Sequence, residues 1–145
     1  MLKRIVITTL AAVAALFVLV QFVPYRASNH PVTMEPAWDS AQTEQLARRA
    51  CFDCHSNEVN VPWYGYVAPA AWAVRYHIDE ARLAMNFSEM DKTQEEAHEA
   101  GEVVMEREMP PDYYLALHPE ARLTDAERKA LAGGLDATMG HNEHW

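Results

Sequence analysis

The two cysteines of the chain are three positions apart, and a histidine follows the second one directly in the run Cys51-Phe52-Asp53-Cys54-His55. This spacing is the attachment signature of a c-type haem. On a helical turn, residues three apart share one face, so each thiol can form a thioether with a vinyl group while His55 approaches the iron from the same side. The pattern therefore predicts one covalently bound haem c with His55 as an iron ligand.

Other uses of a cysteine pair fit the chain less well. A structural zinc site needs four ligands, and no second Cys-x-x-Cys or His-x-x-x-His pair supplies the others. A thioredoxin-like dithiol needs a βαβ context, which the helical pattern of this chain does not provide. A disulfide across so short a loop that serves only stability is less favoured still.

The residue opposite His55 decides whether the iron transfers electrons or reacts with a small molecule. Met109 is the favoured second metal ligand, because Pro110-Pro111 stops a helix and stiffens the loop, and a soft thioether suits haem iron. Ordinary core packing is the other interpretation of Met109. The weaker candidates for the same position are Met85, Met90, Met105, His77 and His98.

An aromatic-rich loop follows the cysteine motif, and its large rings are candidates for the wall of a haem pocket. Trp63 and Tyr64 are the two that we assign to the cofactor site, and Pro62 and Gly65 mark the segment as a loop. Further candidates for the pocket wall are Tyr66, Trp72, Tyr113 and Tyr114, and candidates for pairing with the haem propionates are Arg75 and Arg82.

The first 24 residues are expected to form a membrane anchor. Residues 5–23 are almost entirely apolar and long enough as a helix to cross a bilayer. A secretory signal is the alternative, but the apolar stretch is long and no clean small-x-small cleavage site follows it. Lys3 and Arg4 favour a cytoplasmic N-terminus, which predicts a single-pass protein of a bacterial inner membrane with its remaining domain in the periplasm.

The charge of the chain leads us to expect no nucleic-acid partner. It has 12 basic and 21 acidic residues, a net charge of −9, whereas phosphate backbones are bound by clustered Lys and Arg. The acidity keeps the domain soluble, and the second interpretation is that it steers a basic redox partner.

Beyond the anchor the sequence predicts a tether, one all-α domain and a tail. The tether covers residues 25–37; the stretch from Pro24 to Pro36 contains three prolines and no helical period. The domain covers residues 38–138, where helical periods replace any β-strand pattern. We expect helices over about residues 39–50, 69–85, 93–108 and 124–135, the last two starting at capping boxes. Residues 139–145 are expected to be a flexible tail. The predicted fold is a small c-type cytochrome-like helical domain with an N-terminal transmembrane helix.

Six ordered runs of residues resemble the bacterial family of haem-binding domain proteins. The resemblance covers about Trp38 to Leu135 and implies a small, helical, single-haem c-type domain behind an N-terminal anchor, with Met109 as the distal ligand. Where members of that family often have a tryptophan, this chain has Met90, which adds a rival sulfur ligand. The runs are Cys51-Phe52-Asp53-Cys54-His55-Ser56-Asn57-Glu58, Pro62-Trp63-Tyr64, Ala68-Pro69, Asn86-Phe87-Ser88-Glu89, Met109-Pro110-Pro111 and His118-Pro119-Glu120-Ala121-Arg122-Leu123-Thr124.

These features lead us to expect an electron carrier and not an enzyme. Its partner would be a redox protein or a membrane electron-transfer complex, and it would act as a tethered shuttle or as a fixed subunit of a respiratory or photosynthetic complex. The alternative is a haem enzyme or a gas or peroxide sensor with an open distal site, for which Arg75 and His77 are the candidate acid/base pair.

Overall fold

The computed structural model describes residues 1–140, and within them it contains helices and no β-strand. The all-α prediction is therefore confirmed. The α-helices are α1 Leu2–Val20, α2 Ala41–Ala50, α3 Phe52–His55, α4 Ala70–Ala84, α5 Ala100–Met105, α6 Asp112–Leu115 and α7 Asp125–Met139. Short 3-10 helices cover Trp63–Tyr66, Ala97–Glu99 and Pro119–Ala121.

The chain forms two compact units. The first unit contains residues 1–27 and 61–77, and the second unit contains residues 28–60 and 78–140. In the first unit, α1 has a mean hydropathy of 2.1, and none of its residues is buried in the protein. Its length and composition suit a membrane-spanning helix, and they also suit the apolar segment of a signal sequence.

In the second unit, α7 packs against both α2 and α5. The capping box that the sequence predicts at the start of α7 is present, because the Thr124 hydroxyl accepts from the Glu127 amide and the Glu127 carboxylate accepts from the Thr124 amide. Ser40 caps α2 in a similar way. The core that these helices share contains Leu46, Ala47, Phe52, Met85, Phe87, Met90, Ala100, Val104, Leu131, Ala132, Leu135 and Met139.

The helix expected over about residues 93–108 is the main error in the sequence-based assignment. The capping box at Thr93 does not form, and α5 begins only at Ala100. Gln94 is used elsewhere: its side-chain oxygen accepts from the Asn86 amide at 2.7 Å, and its nitrogen donates to the Glu89 carbonyl at 2.8 Å. These bonds, to residues eight and five positions earlier in the chain, hold residues 91–96 in turns and irregular backbone instead of a helix.

Both ends of the second unit differ from expectation in detail. Residues 28–34 are extended, as in a tether, but they lie along residues 86–90, where the Thr33 amide donates to the Ser88 carbonyl and the Met90 amide to the Met34 carbonyl. At the other end α7 runs to Met139, which is 6% exposed in the core, and not to about Leu135. Residues 141–145 of the expected tail lie outside the described residues.

Candidate haem-binding site

The Cys-x-x-Cys-His run forms a single helical turn at the end of α2. Cys51 caps α2, and its carbonyl accepts from the amides of Cys54, at 3.1 Å, and His55, at 2.9 Å. Both thiols are partly buried, and Cys51 packs against the core of the second unit. One turn therefore carries all three side chains, which is the local arrangement that the spacing predicted.

The imidazole of His55 is oriented by a main-chain atom. Its Nδ1 lies 3.0 Å from the carbonyl oxygen of Met85, the residue that follows α4. A carbonyl can only accept, so Nδ1 carries the proton and Nε2 of the neutral ring keeps its lone pair. Burial lowers the pKa of His55, although the carbonyls of Met85 and Ala81 oppose this shift. The ring is therefore neutral and fixed in orientation, as a metal ligand requires.

The two thiols do not have the properties of a redox-active dithiol. Burial raises the pKa of Cys51 to about 12 and that of Cys54 to about 11, with the charge of Asp53 as a further cause at Cys54. Reactive Cys-x-x-Cys pairs depend on a lowered pKa instead. Within residues 1–140, no three His, Cys, Asp or Glu side chains converge as metal ligands. Neither a thioredoxin-like nor a zinc interpretation gains support from this geometry.

A buried polar network joins the segment after His55 to the Asn-Phe-Ser run. The Asn57 backbone amide donates to the Ser88 hydroxyl at 2.9 Å. The Asn86 side-chain nitrogen donates to the Asn57 side-chain oxygen at 3.0 Å. The Phe87 amide donates to the His55 carbonyl at 2.8 Å. The side chains of this network are at most 4% exposed. The network therefore fixes residues 55–57 against the loop that also supplies the Met85 carbonyl.

Arg82, a candidate propionate partner, contacts main-chain carbonyls of the second unit. Its Nε donates to the Ser56 carbonyl at 2.8 Å, and its Nη1 donates to the Ser28 carbonyl at 3.0 Å. It thereby ties the end of the cysteine turn to the extended segment. Arg75, the other candidate, lies in the first unit, where it donates to the Arg26 carbonyl at 2.9 Å.

Met109 lies on a sharply turned loop after α5. Arg107 has a φ of 66°, in the left-handed region, and the Met109 amide then donates back to the Val103 carbonyl at 3.1 Å. The Met109 side chain is half-buried at the edge of the core, as is Cys51. The peptide bond to Pro110 is cis. The structure therefore gives Met109 a position at the border of the same core that Cys51 borders.

Arg128 supports this loop, and the sequence analysis missed it. Its side chain is only 7% exposed, and Nη1 donates to the carbonyls of Val104 at 2.6 Å and Met109 at 3.3 Å. A sequence signal was present, because Arg128 lies three and seven positions before Leu131 and Leu135, on the buried face of α7. A buried arginine on an apolar helix face needs carbonyl or carboxylate oxygens as hydrogen-bond acceptors. Here the acceptors are the carbonyls of Val104, before the Met-Pro-Pro loop, and Met109, within it.

The other candidate ligands lie in varied positions. Met85 and Met90 are buried in the core, at 7% and 5% exposure, whereas Met105 is 45% exposed. His98 is exposed beside Glu99. His77 is in the first unit, where its ring contacts that of Tyr76 edge to face.

The candidate wall residues divide between the two units. Trp63 and Tyr64 are in the first unit, on a 3-10 turn, with ring centroids 5.9 Å apart. In the second unit the Tyr114 hydroxyl donates to the Asp53 carboxylate at 2.8 Å. Burial and the charge of nearby Cys54 raise the pKa of Tyr113, whose side chain is nevertheless 60% exposed. Tyr114 of α6 is thus hydrogen-bonded to a residue of the cysteine turn.

These side chains fit a haem. One turn presents two protonated thiols and a neutral, oriented imidazole, and a methionine borders the same core. Thiols and imidazole of this kind match what a haem macrocycle and its iron need. The site and the all-helical fold therefore define a haem protein of the small helical class.

The comparison with protein families agrees with the site. The family of haem-binding domains matches residues 15–137, so this chain belongs to that family. The resemblance seen in the sequence runs is thereby confirmed. No curated protein and no solved structure matches the chain.

Proposed function

We propose that this protein is a membrane-anchored c-type cytochrome with one covalent haem, which transfers single electrons on the periplasmic side of a bacterial inner membrane. The observation that carries the proposal is the hydrogen bond from His55 Nδ1 to the Met85 carbonyl, beside the two thiols of the same turn. It leaves Nε2 available to the iron and holds the ring in one orientation.

The cysteines would make the attachment covalent. Each of Cys51 and Cys54 would add its S–H across one vinyl group, so that two thioethers form and no atom is lost. Bound haem supplies an iron centre that gains and loses one electron. Fixing it at two sulfurs and one nitrogen on a single turn keeps the iron in place between its redox states, which suits an electron carrier.

Met109 would complete the iron coordination. The buried Arg128 guanidinium holds this loop through the Met109 carbonyl, which fixes the backbone from which the methionine side chain extends. A soft thioether opposite an imidazole raises the haem potential and occupies the coordination position that an enzyme would leave open.

The alternative is a peroxide enzyme or sensor, for which a distal acid/base pair would be needed. Arg75 and His77 are two positions apart on α4, and side chains at that spacing do not face each other on a helix. Arg75 also lies over the Tyr25 ring, 5.6 Å from its centroid. These contacts favour an electron carrier over an enzyme.

The anchor part of the proposal rests on α1 and on charge. Lys3 and Arg4 lie in the first turn of α1, ahead of its apolar run, and a positive flank of this kind stays in the cytoplasm. A c-type haem domain following the helix would then face the periplasm. The redox partner is either a soluble protein or a membrane complex in which this chain is a subunit.

Covalent attachment is tested first, by haem staining of the full-length protein on a denaturing gel and by its intact mass. We expect wild type to keep one haem after denaturation. Cys51→Ala and Cys54→Ala should each weaken the attachment, and the double variant should lose it. Haem that washes out of the denatured wild type would contradict c-type attachment while leaving the family assignment intact.

The distal ligand is tested by Met109→Leu beside Met90→Leu, a matched control in the core. We expect the weak far-red sulfur-to-iron band of the ferric spectrum to disappear only in Met109→Leu, and reduced haem to bind carbon monoxide only in that variant. A wild type that lacks the band and binds carbon monoxide readily would instead support the open-site enzyme or sensor.

A further inference from the structure

The end of α1 is tied to the aromatic loop by a pair of hydrogen bonds within the first unit. The side-chain nitrogen of Gln21 donates to the Ala68 carbonyl at 3.1 Å, and the Ala68 amide donates to the Gln21 side-chain oxygen at 2.9 Å. One glutamine thus satisfies both polar groups of a single backbone residue. The loop is therefore fixed within one side chain's length of the residue that follows the apolar helix.

The length of α1 places this junction at a membrane surface. The helix has 19 residues, which at 1.5 Å per residue corresponds to about 28 Å. With Lys3 and Arg4 of its first turn at the cytoplasmic headgroups, its other end lies near the opposite edge of the roughly 30 Å hydrocarbon core. If α1 spans the membrane, Gln21 and Phe22 lie where the hydrocarbon ends. The loop bonded to Gln21 must then lie at the same depth, in the headgroup region.

The residues around this junction have the composition of a membrane interface. Phe22 is 79% exposed, Trp63 78%, Tyr66 56%, Tyr25 41% and Val67 37%. Rings with an apolar body and a polar tip concentrate at the headgroup level of bilayers. So many exposed aromatic side chains next to the end of an apolar helix indicate contact with lipid.

Charge divides sharply between the two units. Residues 1–27 and 61–77 contain four Lys and Arg, namely Lys3, Arg4, Arg26 and Arg75, and no Asp or Glu, so all 21 acidic residues of the chain lie elsewhere. Arg26 and Arg75 are on the far side of α1 from its N-terminus, and Arg75 donates to the Arg26 carbonyl. Cationic side chains beside a membrane are attracted to anionic lipids, whereas an acidic surface is repelled.

We propose that Phe22, Tyr25, Trp63, Tyr66 and Val67 form a membrane-contact surface, which lies in the anionic headgroup region of the bilayer that α1 spans. Gln21 is its positioning residue, because it bonds the loop to the helix end. The proposal rests on the anchor part of the proposed function and is independent of the haem and its chemistry. In this arrangement the aromatic loop is held against the lipid and does not move freely above the membrane.

The test uses photo-crosslinking of the full-length haem protein in vesicles of phosphatidylethanolamine and phosphatidylglycerol. Photoreactive p-benzoylphenylalanine is placed at Tyr66, at Phe17 within α1, or at Leu117, which is 64% exposed in the second unit. Lipid adducts are counted by mass spectrometry after irradiation. We expect adducts at Phe17 and Tyr66, with labelling at Leu117 at least about fivefold lower.

The three positions separate the possible failures. Labelling at Phe17 without labelling at Tyr66 would overturn the membrane-contact surface and leave the anchor standing. Absence of labelling at Phe17 would remove the anchor and the surface together. Labelling at Leu117 equal to that at Tyr66 would also overturn the proposal, since the surface would then have no preference for lipid.

A second variant tests the role of Gln21. Gln21→Ala removes both hydrogen bonds to Ala68 and should lower the ratio of labelling at Tyr66 to that at Phe17. Gln42→Ala, an exposed glutamine on α2, is the matched control and should leave the ratio unchanged. An unchanged ratio in Gln21→Ala would refute the positioning role.

Discussion

The Nδ1 atom of His55 lies 3.0 Å from the main-chain carbonyl of Met85, a residue thirty positions further along the chain. The contribution of Met85 to the candidate haem site is thus its backbone oxygen. The Met85 side chain packs in the core, where it is 7% exposed, and takes no part in this hydrogen bond. This distinction can be tested because a substitution changes the side chain and keeps the carbonyl.

Met85→Leu should leave the haem site unchanged. Leucine has nearly the same volume, so we expect a loss of at most about 1.5 kcal/mol of stability. Haem content and the ferric and ferrous absorption spectra should match wild type, because the hydrogen bond to His55 remains. A Met85→Leu spectrum that has lost the sulfur-to-iron band would show that Met85, and not Met109, is the iron ligand.

Asn86→Ala should destabilise the second unit. The Asn86 side chain donates to Asn57 and accepts from the Ser88 amide, all of them buried. Its removal leaves these groups without partners, which costs about 1–3 kcal/mol for each buried group. Thermal unfolding followed by circular dichroism in detergent micelles measures the loss.

Asn60→Ala is the control for that substitution, since Asn60 is exposed and its backbone amide, not its side chain, binds Asp53. It should shift stability by no more than about 0.5 kcal/mol. Equal losses in the two variants would mean that the buried network contributes nothing specific.

Gly133 and Gly134 should respond in opposite directions to alanine. A Cβ at Gly134 would overlap the Thr43 side chain where α7 packs on α2, whereas a Cβ at Gly133 would meet nothing within 4 Å. We expect Gly134→Ala to cost about 1–3 kcal/mol through overpacking. Gly133→Ala should gain about 0.5–1 kcal/mol from helix propensity. Unfolding midpoints in denaturant give both values, and a stabilised Gly134→Ala would refute the close contact.

The capping box of α7 should make stability depend on pH in the acidic range. Hydrogen bonds from Thr124, first from its amide, and the Arg49 side chain lower the pKa of Glu127 from 4.5 to about 2. A lowered folded-state pKa means that the carboxylate stabilises the fold above pH 4.5 and that this contribution is lost as the pH falls towards 2.

Glu127→Gln therefore tests that pH dependence. The difference in melting temperature between wild type and Glu127→Gln should be constant near neutral pH and should shrink between about pH 4.5 and 2. A difference that is the same at both ends of this range would show that the charge of Glu127 does not stabilise the helix.

The sequence by itself determined the features that depend on neighbouring residues. The cysteine motif forms one helical turn because its members are three and four positions apart, and the Thr124 capping box forms because it closes within a single turn. The long apolar helix α1 and the all-α class could be predicted from the sequence for the same reason, because composition and periodicity are local properties.

The tertiary structure decided what joins distant parts of the chain. It assigned the Met85 carbonyl to His55 and Arg128 to the Met109 loop. It also distinguished Gly134, which faces Thr43, from Gly133, which faces open space. Each of these outcomes depends on which residues become neighbours after folding, and a local pattern of residue types does not contain that information.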